Sequence, residues 1–194
     1  MSASPLALTF DFGTQSVRAC IYDAKGDCLA MKSHKYEPAY YSPKPGYAEM
    51  DPASYFDCLC SCTNALAKEF PDLMGRVGGI ELDCFRDSAV LLDKDRNVIR
   101  PMILWLDSRM AECKEPLPLL SRALFGLVGK SDVINLNRRR TMAKWIKDNE
   151  PENFARIDKY VSISTYFVYR LTGELKDSPS DFTGHYPLDR KSVV

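Results

Sequence analysis

Apolar and polar residues alternate along the first 36 positions in a pattern typical of β-strands. The strand-like runs are "LALTFDF" (6–12), "VRACIYD" (17–23) and "CLAMKSHKY" (28–36). Alternation with a period of two predicts strands with one buried face. The turns between the runs are too short for a crossover helix, so the sequence predicts an antiparallel meander. In the second turn, "AKGD", Gly26 is free to adopt positive φ.

The hydrophobic period becomes helical after residue 51. Asp51 is typical of an N-cap, and Pro52 is favoured at the first helical position. One apolar stripe at helical spacing continues to about residue 70 and consists of Tyr55, Leu59, Cys62 and Leu66. The sequence therefore predicts a long amphipathic helix that packs this stripe against the sheet.

The rest of the chain alternates between strand-like and helical segments. Further strands are predicted at "RVGGIELDCF" (76–85), "SAVLLD" (88–93) and "PMILWLD" (101–107). A helix is predicted to open at Ser108, directly after Asp107, and others around 119–128, 141–149 and 164–171. This order indicates an α/β fold, with a mixed sheet that begins with the meander and carries helices on its faces.

Composition excludes several classes of partner. The 194 residues contain 26 Lys and Arg against 26 Asp and Glu, so no excess of positive charge favours nucleic acid. No apolar run approaches the roughly 18 residues that span a bilayer, and the N-terminus does not resemble a signal peptide. Seven cysteines at irregular spacing suit reduced thiols in a cytoplasmic protein. We therefore expect neither nucleic acid nor a membrane as a partner.

The turn "FDFGTQS" (10–16) is the first candidate site. A strand-to-strand turn of small residues exposes backbone N–H groups that suit an anion. Asp11 repels phosphate unless a cation lies between them, and Mg²⁺ is often held by one carboxylate together with phosphates. The set is typical of a cradle for a Mg–nucleoside triphosphate. The alternative is a structural turn in which Asp11 and Thr14 cap local backbone.

Four stretches, in this order, resemble the FGGY family of carbohydrate kinases. They are "LTFDFGTQSVRACIYDAKGDCLA", "KPGYAEMDPASYF", "GIELDCFRDSAVLLDKDRNVIRPMILWLDSR" and "KWIKDNEPENFARIDKYVSISTYFVYRLTGEL". The first motif is shared with other actin-like ATPases, whereas the ordered set is specific. The resemblance covers nearly the whole chain and implies the ribonuclease-H-like core of actin-like ATPases.

The resemblance assigns roles to the residues of the first turn. Asp11 is expected near Mg²⁺ and the transferred phosphate, and Arg18 near the nucleotide phosphates. The residues expected to line the phosphate loop are Gly13, Thr14, Gln15 and Ser16. Phosphoryl transfer depends mainly on positioning and charge neutralisation, which these residue types supply.

Four further residues are expected to bind the substrate. Arg86 and Asp87 occupy the place of an Arg–Glu pair that grips polyol hydroxyls in glycerol kinases, although Asp87 is the shorter acid. The alternative is a surface ion pair. Trp105 is expected to face the C–H side of a sugar and Asp107 to accept a hydroxyl hydrogen bond. Their alternative is a core tryptophan and a cap for the helix at Ser108.

The resemblance also implies a division of labour between domains. Residues 1–194 are expected to be an N-terminal domain that binds sugar and carries the phosphate loop, with the general-base aspartate and the nucleotide domain beyond residue 194. The chain alone is then expected to be inactive. The complete kinase is expected to use ATP and Mg²⁺ on a small sugar or polyol and to be able to form a homodimer. The alternative function is a non-catalytic, actin-like regulatory module.

Overall fold

Parallel and antiparallel strands combine in the first sheet of the computed structural model, which describes residues 4–112 and 116–176. Its strands are β1 (Leu6–Phe12), β2 (Ser16–Tyr22), β3 (Cys28–Lys35) and β5 (Val77–Cys84), in the order β3-β2-β1-β5. The pairs β1–β2 and β2–β3 are antiparallel, which confirms the predicted meander. Strand β5 lies parallel to β1, so both strands end at the same edge of the sheet.

Helix α1 (Pro52–Glu69) covers one face of this sheet. The Asp51 side chain accepts a hydrogen bond from the Ala53 N–H (2.9 Å), as expected of an N-cap. The predicted stripe is buried, from Tyr55 to Leu66. It packs against the alternate residues of β1 and β2 that face the same side, namely Leu6, Leu8, Phe10, Phe12, Val17, Ala19 and Ile21.

A second sheet follows in the chain. Its strands are β4 (Glu49–Met50), β6 (Ala89–Leu92), β7 (Met102–Ile103) and β8 (Lys159–Ser162), in the order β4-β7-β6-β8. The remaining helices are α2 (Pro71–Met74), α3 (Leu119–Leu127), α4 (Ser131–Arg139), α5 (Met142–Asn149), α6 (Pro151–Arg156) and α7 (Ile163–Thr172). Phe167 of α7 stacks on Phe12 of β1 with ring centroids 4.5 Å apart, which joins both sheets into one core.

The predicted helix at Ser108 is wrong for the residues that can be described. Residues 108–112 are irregular. The Asp107 carboxylate accepts hydrogen bonds from the Arg109 backbone and side chain, and this local contact folds the chain into a compact turn. The strand predicted over 101–107 is also shorter, since only Met102 and Ile103 pair. No helix within 4–112 or 116–176 is long and apolar enough to cross a membrane.

Candidate functional site

The turn between β1 and β2 presents free backbone donors at the edge of the first sheet. The Gly13 N–H donates to the Ser16 carbonyl (3.0 Å), so that donor closes the turn. The Gln15 carbonyl accepts from the Tyr36 N–H (3.0 Å) and fixes the other side. Within the described part of the chain, the N–H groups of Thr14 and Gln15 have no hydrogen-bond acceptor. These two donors, rather than that of Gly13, are available to an anion.

Asp11 and Arg18 lie beside this turn on the same face of the sheet. They are Cα partners in the β1–β2 ladder, and their side chains form an ion pair. Both side chains are about half exposed, so this pair contributes little to stability. Either charge is therefore accessible to a ligand that approaches the turn.

Strand β5 brings a second group of polar residues to the same edge. Asp83 is the Cα partner of Asp11 in the parallel β1–β5 ladder. The last residues of β5 and those that follow it line a cavity of about 190 Å³. The polar residues that line it are Asp83, Arg86, Asp87, Ser88, Ser162 and Ser164. The predicted residues Arg86 and Asp87 thus share one cavity, close to the end of β1 that carries Asp11.

Asp87 adopts a backbone conformation that non-glycine residues seldom adopt. Its φ is 61°, in the left-handed region, which aspartate tolerates better than most residues but which still carries a cost of about 1 kcal/mol. Burial, followed by the negative charge of Asp87, raises the pKa of Tyr160 on β8. The carboxylate of Asp87 therefore lies near the second sheet, at one wall of the cavity.

Trp105 connects the turn with the cavity. Its backbone N–H donates to Ser88 Oγ (3.0 Å), and Ser88 lines the cavity. Its indole N–H donates to Thr14 Oγ1 (3.2 Å) in the β1–β2 turn. With 52% of its surface exposed, the indole ring is open to a ligand on its other side. Trp105 is therefore not the core residue that the alternative interpretation required.

Asp107 lies apart from this group. Its side chain has no exposed surface, and its Oδ2 accepts from the Ala48 N–H (2.6 Å) and Arg109 Nη2 (2.7 Å). Arg109 also pairs with Glu49 (2.8 Å) and lies over the Tyr47 ring at 3.8 Å. Burial alone lowers the pKa of Arg109, but bonds and charges from Asp107 and Glu49 outweigh it and raise the pKa. In this geometry the Asp107 carboxylate is committed to protein groups.

Several polar residues of this region were not predicted from the sequence, among them Arg109, Asp83 and Ser164. Arg109 has a sequence signal, because it follows Asp107 at the spacing that lets an arginine fold back on an acid. Asp83 has a weaker signal as the last outward carboxylate of a predicted strand. Ser164 has none, since it reaches the cavity only because α7 starts there.

Comparison with known proteins identifies relatives over nearly the whole chain. The model of the FGGY family of carbohydrate kinases, N-terminal domain, matches residues 6–184. The xylulose kinase of Staphylococcus xylosus is 28% identical over 176 residues, which are 90% of this chain and 35% of that protein. The glycerol kinase of Thermococcus gammatolerans is 25% identical over 174 residues, 86% of this chain and 34% of that protein. The chain thus spans about a third of the length of these relatives.

Solved structures agree. The crystal structure of xylulose kinase from Rhodospirillum rubrum superimposes with a TM-score of 0.75 at 25% identity. The match covers 96% of this chain and 38% of that one. The expected fold class, an α/β fold of the actin-like ATPase type, is therefore confirmed.

Proposed function

The chain belongs to the FGGY family of carbohydrate kinases, and on that premise we propose that it binds a small sugar or polyol for phosphorylation by ATP. Arg86, Asp87 and Trp105 are the proposed sugar contacts. Asp11, Arg18 and the β1–β2 turn (13–16) are the proposed contacts to the phosphates. We propose that the general base and the remaining nucleotide contacts lie outside this chain, in a second domain. Since ATP is the donor, we place the protein in the cytoplasm; homodimer formation stays a prediction.

One observation carries this proposal. Thr14, in the turn with free N–H donors, accepts a hydrogen bond from Trp105, whose backbone bonds Ser88 in the cavity with Arg86 and Asp87. Trp105 therefore links the turn that can bind an anion to the cavity that can bind hydroxyl groups, through one hydrogen bond to each. Transfer of a phosphoryl group between two bound molecules requires such proximity.

The residues also fit the metal that ATP chemistry needs. Asp11 offers a half-exposed carboxylate whose partner, Arg18, is itself exposed. Within 4–112 and 116–176 no group of three or more His, Cys, Asp or Glu could hold a metal ion by itself. That suits Mg²⁺, which is commonly held by one or two carboxylates together with phosphates and water. When bound, Mg²⁺ supplies positive charge next to the phosphates, and Asp11 is the residue we propose to hold it.

For Asp107, the geometry supports a positioning role. Its carboxylate holds the loop that carries Trp105 by bonding Ala48 and Arg109. A direct bond from Asp107 to a substrate hydroxyl would require those contacts to open. We therefore propose Asp107 as a residue that positions Trp105 rather than one that binds sugar.

The proposal is tested by two variants, one expected to weaken polyol binding and the other expected to lower kcat without weakening polyol binding. Arg86→Ala should weaken polyol binding by calorimetry at least ten-fold, since charged hydrogen bonds contribute about 1.5–3 kcal/mol. Asp11→Asn should leave polyol binding intact. When the domain is joined to a second kinase half, Asp11→Asn should lower kcat by about 10²–10³.

The melting temperature provides the control. If Asp11 only caps its turn, Asp11→Asn should cost roughly 0.5–2 kcal/mol of stability and keep near-normal kcat at low temperature. That result would contradict the phosphate role. Polyol and ATP binding without turnover in any assembled form would favour the non-catalytic module instead.

A further inference from the structure

The cavity at the end of β5 contains an unusual combination of charges for its size. Its charged lining residues are the acids Asp83 and Asp87 and the base Arg86. Ser162 is the N-cap of α7 and Ser164 lies in its first turn, and the N-terminus of this helix carries the equivalent of about +0.5 charge. The negative charge of the two carboxylates is therefore slightly larger than the positive charge of the guanidinium and the helix N-terminus together. Removal of either carboxylate would make the balance positive.

Asp83 is the carboxylate whose presence the fold does not require. Its side chain is exposed and makes no hydrogen bond or ion pair with any residue that the structure describes. It is also the Cα partner of Asp11 in the parallel ladder. Like charges on neighbouring strands are destabilising, so Asp83 does not stabilise the sheet. Because this carboxylate also lines the cavity, it is accessible to a ligand there.

We propose that Asp83 is a specificity-determining residue that makes this cavity select uncharged polyols and reject sugar acids. The inference rests on the proposed function, because it names the substrate class of the same cavity. Neutral hydroxyls can donate to Asp83 and Asp87 and accept from Arg86, so an uncharged polyol satisfies all three side chains. A carboxylate on the ligand can pair with Arg86 but meets two like charges. Discrimination through a repulsive group is a common route to specificity.

Two ligands with the same carbon chain isolate this effect. Xylitol is uncharged, and xylonate carries a carboxylate at one end. We expect the chain with the natural sequence to bind xylitol at least ten-fold more tightly than xylonate by isothermal titration calorimetry. Asp83→Asn should narrow that preference on the order of ten-fold, mainly through tighter xylonate binding. Asp83 is exposed, so its effect lies closer to the roughly five-fold expected of a unit charge about 4 Å away in bulk water than to the roughly 10³-fold expected at an effective dielectric constant of about 20.

Glu81→Gln is the matched control. Glu81 lies two residues earlier on β5, pairs with Thr9 of β1, points to the same face and is also exposed. It does not line the cavity. Glu81→Gln and Asp83→Asn each remove one negative charge from β5. If surface charge alone affects ligand binding, both variants should therefore change the preference for xylitol equally. Asp83→Ser provides a second neutral variant in case the amide of asparagine itself hydrogen-bonds the ligand.

The outcomes separate the two proposals. If both Asp83 variants keep the natural preference for xylitol, or if Glu81→Gln relaxes it equally, the role of Asp83 is overturned while the proposed function stands. If the chain with the natural sequence binds no neutral sugar or polyol, the proposed function fails, and this inference fails with it. A preference that narrows for both Asp83 variants and not for Glu81→Gln supports the assignment.

Discussion

At the level of single residues, Arg109 determines how the loop that carries Trp105 folds. Its guanidinium is buried between Asp107 and Glu49 and lies over the rings of Tyr47 and Trp145. A buried guanidinium is tolerated only when its charge is matched, which these two carboxylates achieve. Because Asp107 is used here, the sugar-facing role expected of it from the sequence is replaced by a proposed structural one.

Arg109→Met should destabilise the chain by about 3–5 kcal/mol, because it leaves the buried Asp107 carboxylate without its counter-charge, whereas Glu49 keeps its pair with Arg100. Urea unfolding followed by circular dichroism measures this change. Lys144→Met is the control, since Lys144 forms an exposed i,i+4 pair with Asp148 (3.1 Å) and its loss should cost about 0.3–0.5 kcal/mol. Similar losses for both variants would contradict a structural role for Arg109.

Among the elements, the meander is held together by a turn with an aspartate at its start. The Asp23 carboxylate accepts from the N–H groups of Asp27 and Lys25, each at 2.9 Å, between β2 and β3. These hydrogen bonds lower the pKa of Asp23, and the bond from the Asp27 N–H has the largest effect. The same device recurs in the turn after β6, where the N–H of Asn97 and then that of Asp95 lower the pKa of Asp93.

These two shifts give the stability of the chain a predicted dependence on pH. A folded-state pKa below the unfolded value means that the contribution is complete above about pH 4 and is lost as pH falls through the folded-state pKa. The variant Asp23→Asn/Asp93→Asn should therefore have a lower urea midpoint than the natural sequence at pH 6. That difference should shrink as the pH falls below about 4 and through the folded-state pKa values of the two aspartates.

Asp57→Asn serves as the control for this comparison. Asp57 is exposed on α1, and its carboxylate bonds no residue within the described ranges. Its replacement should change the midpoint little at either pH. A difference between the double variant and the natural sequence that stays constant from pH 6 to 3 would show that the two turns owe nothing to the ionised carboxylates.

In the whole molecule, Trp105 lies where the two sheets meet. It bonds Thr14 from the first sheet and Ser88 at the start of the second. The other tryptophan of the chain, Trp145, is partly buried beside Tyr47, with ring centroids 6.0 Å apart. Of the two tryptophans, Trp105 is the one that bonds the β1–β2 turn and the cavity, so its fluorescence is the one expected to respond to a ligand there.

Trp145→Phe leaves Trp105 as the single fluorophore. We expect a neutral polyol to shift its emission to shorter wavelength in a saturable titration, because the ligand excludes water from an indole that is half exposed. A midpoint of this titration that agrees with the dissociation constant from calorimetry would support polyol binding at the proposed sugar contacts. If calorimetry detects binding while the emission of Trp105 stays unchanged, the ligand binds elsewhere.

The local sequence predicted much of the first sheet and its helix. The period of two gave the strands of the meander, and the stripe from Tyr55 to Leu66 gave α1 with Asp51 as its cap. The helices at 131–139 and 151–156 and the strand at 159–162 were not predicted. Short elements such as these carry little periodicity, and β8 is a strand only because it pairs with β6.

By itself the sequence determined which residue types stand at the candidate site, because a carboxylate, small turn residues and an Arg–Asp pair are local features. Only the tertiary structure decided which of them come together. Parallel pairing of β1 with β5 places Asp83 beside Asp11, and the start of α7 closes the cavity around Arg86. The same packing directs Asp107 away from the site and into a buried pair with Arg109. Contacts between residues distant in sequence depend on how the sheets and helices pack, and no local pattern encodes that packing.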